Sequence, residues 1–125
     1  MSGGSVLILD DDDDLRAALG ETLEAIFGRP WVGAGSVDEL RALEANLSAC
    51  DLAILDINLG RGKPTGLDAL DWLKKVGFPG RITFLTGHAR SHPLVDKACH
   101  DQIARVYEKP LTLMALRQLV QGAPP

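Results

Sequence analysis

Cysteine is scarce in this chain. Cys50 and Cys99 are its only two, too few and too far apart for a disulfide framework or a thiolate metal centre. They read as small apolar residues in a reducing cytoplasm. Basic charge is in deficit as well: 13 Lys and Arg face 17 Asp and Glu, leaving a net charge of −4. That balance argues against charge-driven binding to nucleic acid or an anionic membrane. No apolar run approaches the roughly 20 residues that span a bilayer, and residues 1–5 lack the basic and apolar regions of a signal peptide. Cytoplasmic location is the expectation. A glycine-rich phosphate loop is also missing, since neither G-x-x-x-x-G-K-[ST] nor G-x-G-x-x-G occurs. Any phosphate chemistry must then use carboxylate, metal, hydroxyl and ammonium groups.

What is present is a chain of 125 residues, 46% hydrophobic, enough for one globular domain with a real core. Short apolar runs alternate with amphipathic stretches, the pattern of βα units around a parallel sheet. Strands are expected at residues 5–9, 30–34, 52–56, 81–85 and 104–107. Leu15, Leu19, Leu23 and Ile26 mark a first helix at spacings of four, four and three. Ser36 and Glu39 form an S-x-x-E capping box ahead of a second helix carrying Leu40, Leu43 and Leu47. Thr65 and Asp68 open a third with Leu67, Leu70 and Leu73 on one face, Pro93 falls in the first turn of a short fourth, and Leu113, Leu116 and Val120 mark a fifth. Strict alternation of five strands and five helices gives a doubly wound α/β fold.

Five consecutive aspartates, Asp10 to Asp14, follow directly on Val6-Leu7-Ile8-Leu9. A block of like charge is usually solvated, but this one sits where a parallel strand ends and a helix begins. In open α/β sheets that edge binds ligands, and clustered carboxylates there call for a cation or free access of water. The third strand ends at Asp56, the fourth at Thr86, and the fifth is followed by Lys109-Pro110. Parallel strands aim these groups at one edge. Taken singly, Asp56 reads as a turn residue, Thr86 as a strand-end β-branched residue and Lys109 as a solvated cation; together they read as a site. Asp12, Asp13 and Asp14 read mainly as complements to the first helix's dipole, each worth about 0.3–1 kcal/mol when exposed.

Over nearly its whole length the chain resembles the receiver domain of two-component response regulators. The resemblance rests on Leu9-Asp10-Asp11-Asp12, Leu55-Asp56-Ile57-Asn58-Leu59, Leu85-Thr86-Gly87-His88 and Lys109-Pro110, in order at the ends of strands one, three, four and five. It implies a (βα)5 flavodoxin-like fold with strand order 2-1-3-4-5, residues 1–125 forming a single receiver domain without an output domain. It implies that Asp56 accepts a phosphoryl group from a phosphohistidine on a histidine kinase or phosphotransfer protein. The chain would thus be a phosphoacceptor and not an enzyme. Asp11 and Asp56 would hold Mg2+, with Mn2+ able to substitute, Asp10 acting through bound water and the backbone carbonyl of Asn58 as a further ligand. Lys109 would pair with one phosphoryl oxygen as a point charge, and Thr86 would donate its hydroxyl to another.

Around that centre, Gly87 leaves the approach to Asp56 open. Asn58 and His88 stand where they would flank the attacking water and tune phosphoryl lifetime, although His88 reads equally well as a surface loop residue. His92 and His100 read as solvent-facing, and Trp31 and Trp72 as packing in or near the core. The family uses a cis peptide bond at the position before Pro110.

Three departures stand out. Gly60 occupies the place of the usual proline four residues after the acceptor, the loop from Gly60 to Gly66 is longer than the common form and basic, and Val106 stands where many receivers carry a switch aromatic. Tyr107, one residue later, should face the other way. The expected function is a phosphorylation switch whose output, read through Thr86 and Val106, lies on the surface of the fourth helix, fifth strand and fifth helix, where a target or a second copy would bind. Two alternatives are a haloacid-dehalogenase-type phosphatase built on Asp10-x-Asp12 and a receiver-like binding module that never uses phosphorylation.

Overall fold

A computed structural model describes residues 4–57, 59–60, 62, 64–87, 105–109 and 111–121. Five strands form one sheet: β1 (Ser5–Leu9), β2 (Trp31–Ala34), β3 (Cys50–Asp56), β4 (Arg81–Thr86) and β5 (Arg105–Glu108). Their order is β2-β1-β3-β4-β5, and every pairing is parallel. Parallel strands are buried on both faces, which is why they read as unbroken apolar runs. Val6 to Leu9 of β1 and Leu52 to Leu55 of β3 are each at most 1% exposed. The expected strand positions hold within two residues at either end.

Alternation along the strands divides the core in two. Leu7, Leu9, Ala53, Leu55 and Phe84 pack against α2 (Val37–Arg41) and α3 (Gly66–Lys75) through Leu40, Leu70 and Leu73. Val6, Ile8, Leu52, Ile54 and Leu85 face α1 (Asp13–Phe27) and the last helix, Leu113–Gln121, through Leu23, Leu116 and Leu119. Each such leucine, once buried, contributes roughly 1.5–3 kcal/mol. Trp31 and Trp72 are partly buried against these clusters, and Trp31 lies over Gly20, where a Cβ would come within 2.4 Å of three indole atoms.

Helix starts follow the capping chemistry of the sequence, except that the expected Ser36–Glu39 box does not close: the Glu39 carboxylate accepts from the Gly35 N–H at 3.0 Å instead of from Ser36. Asp12 caps α1 by accepting from the Leu15 N–H at 3.1 Å, and Ser36 caps α2 through the Glu39 N–H at 3.2 Å. At α3, Thr65 accepts from the Leu67 N–H at 3.2 Å while Asp68 accepts from the Thr65 N–H at 2.7 Å, the reciprocal pair of a capping box. The second helix departs from expectation. Its α-helical part stops at Arg41, and Glu44–Ala49 winds as a 3-10 helix. Leu40, Leu43 and Leu47 keep their spacing, but i to i+3 bonds from Leu43 to Leu40 and from Asn46 to Leu43 replace α-helical ones.

The stripe on α1 also divides. Leu23 is buried and Leu19 partly so, whereas Leu15 and Ile26 are 41% and 51% exposed. The expected fourth helix after Pro93, the peptide bond before Pro110, and the residues Cys99, His92 and His100 lie outside the described residues. Among the described residues, no helix is long and apolar enough to cross a membrane.

Candidate functional site

The strand order reverses direction between β1 and β3, so the ends of those strands flank the crevice where doubly wound sheets bind ligands. Asp10 follows β1 there and Asp56 ends β3. Both continue the Ile8 and Ile54 face by alternation, and both are buried, at 1% and 4% exposure. Asp11 is exposed beside them. One carboxylate oxygen from each of Asp10, Asp11 and Asp56 lies within 4.8 Å of the others.

Lys109 closes this cluster from the far side of the sheet. It follows β5, and its backbone N–H donates to the Thr86 carbonyl at 2.8 Å, extending the β4–β5 pairing past the strand ends. Its Nζ donates to Asp56 Oδ2 at 3.0 Å and to Asp10 Oδ2 at 3.1 Å. Burial pushes the ammonium pKa down, yet the hydrogen bonds and charges of Asp56 and Asp10 outweigh that cost and hold it above the ordinary lysine value. Two buried carboxylates are thereby paired with a cation, which is what their burial demands.

Every polar atom of Asp10 is engaged. Its N–H donates to Ala34 O at 3.0 Å, Oδ1 accepts from the Asp12 N–H at 2.9 Å, Oδ2 takes Lys109, and its carbonyl accepts from Arg16 Nη1 at 2.6 Å. Asp12 and Asp13 turn to the helix instead, Asp12 as the cap and Asp13 paired with Arg16 Nη2 at 2.6 Å.

Thr86 is fully buried at the end of β4, directly after Leu85, the residue that pairs in register with Asp56. A Cβ added to Gly87 would meet nothing within 4 Å, so the space beside it is open. Val106 packs with Phe84 on the α2–α3 side and Tyr107 with Leu85 on the α1 side, so the two residues do face opposite ways. Asn58 and His88 lie outside the described residues.

Two features escaped the sequence reading. Gly66, the first residue of α3, abuts the backbone that carries Asp56: a Cβ there would stand 2.4 Å from the Asp56 carbonyl oxygen and 2.9 Å from Ile57 Cα. The glycine was visible as part of a loop, but only the fold shows what it faces. The other is an apolar groove of about 660 Å³ between α1 and the last helix, lined by Leu15, Leu19, Ile26, Leu111 and Leu113, with Lys109 also on its wall.

Comparison with known proteins agrees with this arrangement. The response regulator receiver domain family matches residues 6–121. A response regulator receiver domain protein from Clostridium thermocellum superposes with a TM-score of 0.80 at 26% identity, covering 96% of this chain and 93% of that one. A CheY-like receiver domain protein from Methanospirillum hungatei gives 0.80 at 23% identity, with 97% and 93% covered. The receiver domain of NtrX from Brucella abortus gives 0.76 at 24%, with 96% and 100% covered. No curated relative matches significantly. With the family match spanning nearly the whole chain, and the sheet order and strand-end residues in place, the protein belongs to the response regulator receiver domain family.

Proposed function

We propose that the protein is a cytoplasmic phosphorylation switch in which Asp56 takes a phosphoryl group from a phosphohistidine on a histidine kinase or phosphotransfer protein. The observation that carries this reading is Lys109 held between Asp56 and Asp10, beside Asp11, at the switch point of the sheet. A carboxylate oxygen of Asp56 bonds to phosphorus as the phosphorus–nitrogen bond breaks, leaving an acyl phosphate and a free imidazole. Lys109 already sits on the attacking carboxylate and follows the charge onto a phosphoryl oxygen. Thr86 donates its hydroxyl to another.

Three carboxylates, one of them exposed so that water can complete a shell, suit Mg2+, which takes oxygen ligands and keeps waters. Asp11 and Asp56 would hold it, with Asp10 acting through water because Lys109 and Asp12 already occupy its two oxygens. When bound, the ion offsets repulsion between Asp56 and the anionic phosphoryl oxygens. Two observations favour Asp56 over a dehalogenase-type Asp10-x-Asp12 pair as the reacting group: Asp12 is spent on capping α1, and Asp10 is fully hydrogen-bonded. The protein then acts as phosphoacceptor, not as a turnover enzyme.

The donor protein would rest along the α1 groove, whose exposed leucines end at Lys109. Output would pass through Thr86 and Val106 to a target or second copy at β5 and the last helix. Beryllofluoride, a phosphoryl mimic, tests the core of the reading by binding measured with and without Mg2+. It is expected to bind only with Mg2+ and not to Asp56→Asn; equal binding to that variant would overturn the assignment.

A further inference from the structure

Arg16 is the one described arginine that reaches the strand-end site. Its side chain runs from α1 back over β2, across two positions without side chains. A Cβ at Gly33 would lie 3.0 Å from Arg16 Cδ, and one at Gly35 would lie 3.2 Å from Nη1. Through this passage the guanidinium reaches both ends of the acidic turn. Nη1 donates to the Asp10 carbonyl at 2.6 Å and Nη2 to Asp13 Oδ1 at 2.6 Å. The Arg16 side chain is 18% exposed and that of Asp13 83%, so the ion pair itself contributes little and the part-buried bond to the Asp10 carbonyl is the firmer anchor. Asp11 lies between the two anchored residues, and Asp12 N–H, also between them, orients the Asp10 carboxylate.

We propose that Arg16 is a positioning residue for the cation site: it clamps the Asp10–Asp13 turn so that Asp11 is presented toward Asp56. The proposal rests on the Mg2+ reading above. Its signature is a sign. Removing a positive charge beside a cation site should by electrostatics alone strengthen Mg2+ binding, whereas losing the clamp weakens it. Groups that orient metal ligands typically carry about 10–100-fold in affinity.

The experiment titrates Mg2+ into wild type, Arg16→Met and Arg16→Lys at a temperature where circular dichroism shows all three folded. In parallel, hydrogen exchange of the Asp12 and Ile8 amides is followed by NMR in metal-free protein. Arg16→Met is expected to bind Mg2+ about tenfold more weakly, with Arg16→Lys between it and wild type, and with Asp12 exchange accelerated while Ile8 is unchanged. Binding by Arg16→Met as tight as wild type, or tighter, would overturn the proposal. A wild type that binds no Mg2+ would instead sink the cation site itself, and the clamp then stands or falls on the Asp12 amide: unchanged exchange in Arg16→Met rejects it.

Discussion

Lys109 Nζ lies 3.0 Å from Asp56 Oδ2, although the two residues are 53 apart in the chain. The contact ties the end of β5 to the end of β3 across the intervening β4, and it places a cation on the carboxylate assigned to accept phosphate.

The pairing has a consequence for stability against pH. The folded-state pKa of Lys109 stands above the ordinary 10.5. A group raised in the folded state contributes stability that is fully present below its unfolded pKa and is lost as pH rises through the folded one. Urea denaturation of wild type and Lys109→Met should therefore differ by a constant amount from neutral pH to about 10.5, with wild type the more stable. Above that the gap should close. A gap that stays constant at higher pH would contradict the pairing.

Gly66→Ala is expected to be costly for a reason peculiar to this site. Its methyl group would enter the Asp56 carbonyl, and overpacking of this kind costs typically about 1–3 kcal/mol. Because the atom displaced is backbone and not a flexible side-chain tip, α3 or the acceptor segment must shift. Urea titration should show the loss, and beryllofluoride affinity should fall with it. A neutral Gly66→Ala would mean that α3 does not abut Asp56.

The aspartate run should separate into two behaviours. Asp12→Ala removes the cap of α1 and should cost about 0.5–2 kcal/mol in thermal or urea unfolding, while leaving Mg2+ binding largely intact. Asp11→Asn should do the reverse, since Asp11 is exposed and makes no cap but belongs to the carboxylate cluster. Calorimetric titration with Mg2+ beside a melting curve for each variant distinguishes them.

That division marks how far the sequence could be read. The strands were legible because parallel strands buried on both faces must be continuous apolar runs, as Val6 to Leu9 and Leu52 to Leu55 are. The convergence of Asp10, Asp56 and Lys109 was legible because strand ends in such a sheet share one edge. Three things were not. Leucine spacing of three and four reads as α-helical, and two steps are too few to mark the change of winding after Arg41 at Leu43 and Leu47. The apolar stripe of α1 gave no sign that Leu15 and Ile26 would line a groove instead of the core, because that depends on where the last helix packs. Nothing in the sequence marks Arg16, because what sets it apart is the bare backbone of Gly33 and Gly35 beneath it.

The groove makes its own prediction. Leu15→Asn and Leu113→Asn change exposed groove residues at 41% and 49% exposure, so the fold should tolerate them. They are expected to slow phosphoryl transfer from a protein donor and to leave phosphorylation by a small molecule such as acetyl phosphate unchanged. Equal slowing with both donors would place the effect at the site and not at a docking surface.

The central claim is that Asp56 becomes covalently phosphorylated with the help of Mg2+. Intact-protein mass spectrometry after incubation with acetyl phosphate tests it most directly. With Mg2+, wild type should gain the mass of one phosphoryl group, lose it on mild alkaline treatment as acyl phosphates do, and show no gain when Mg2+ is chelated. Asp56→Asn should gain nothing. A phosphoryl group that still appears on Asp56→Asn, or none on wild type with Mg2+ present, would contradict the account.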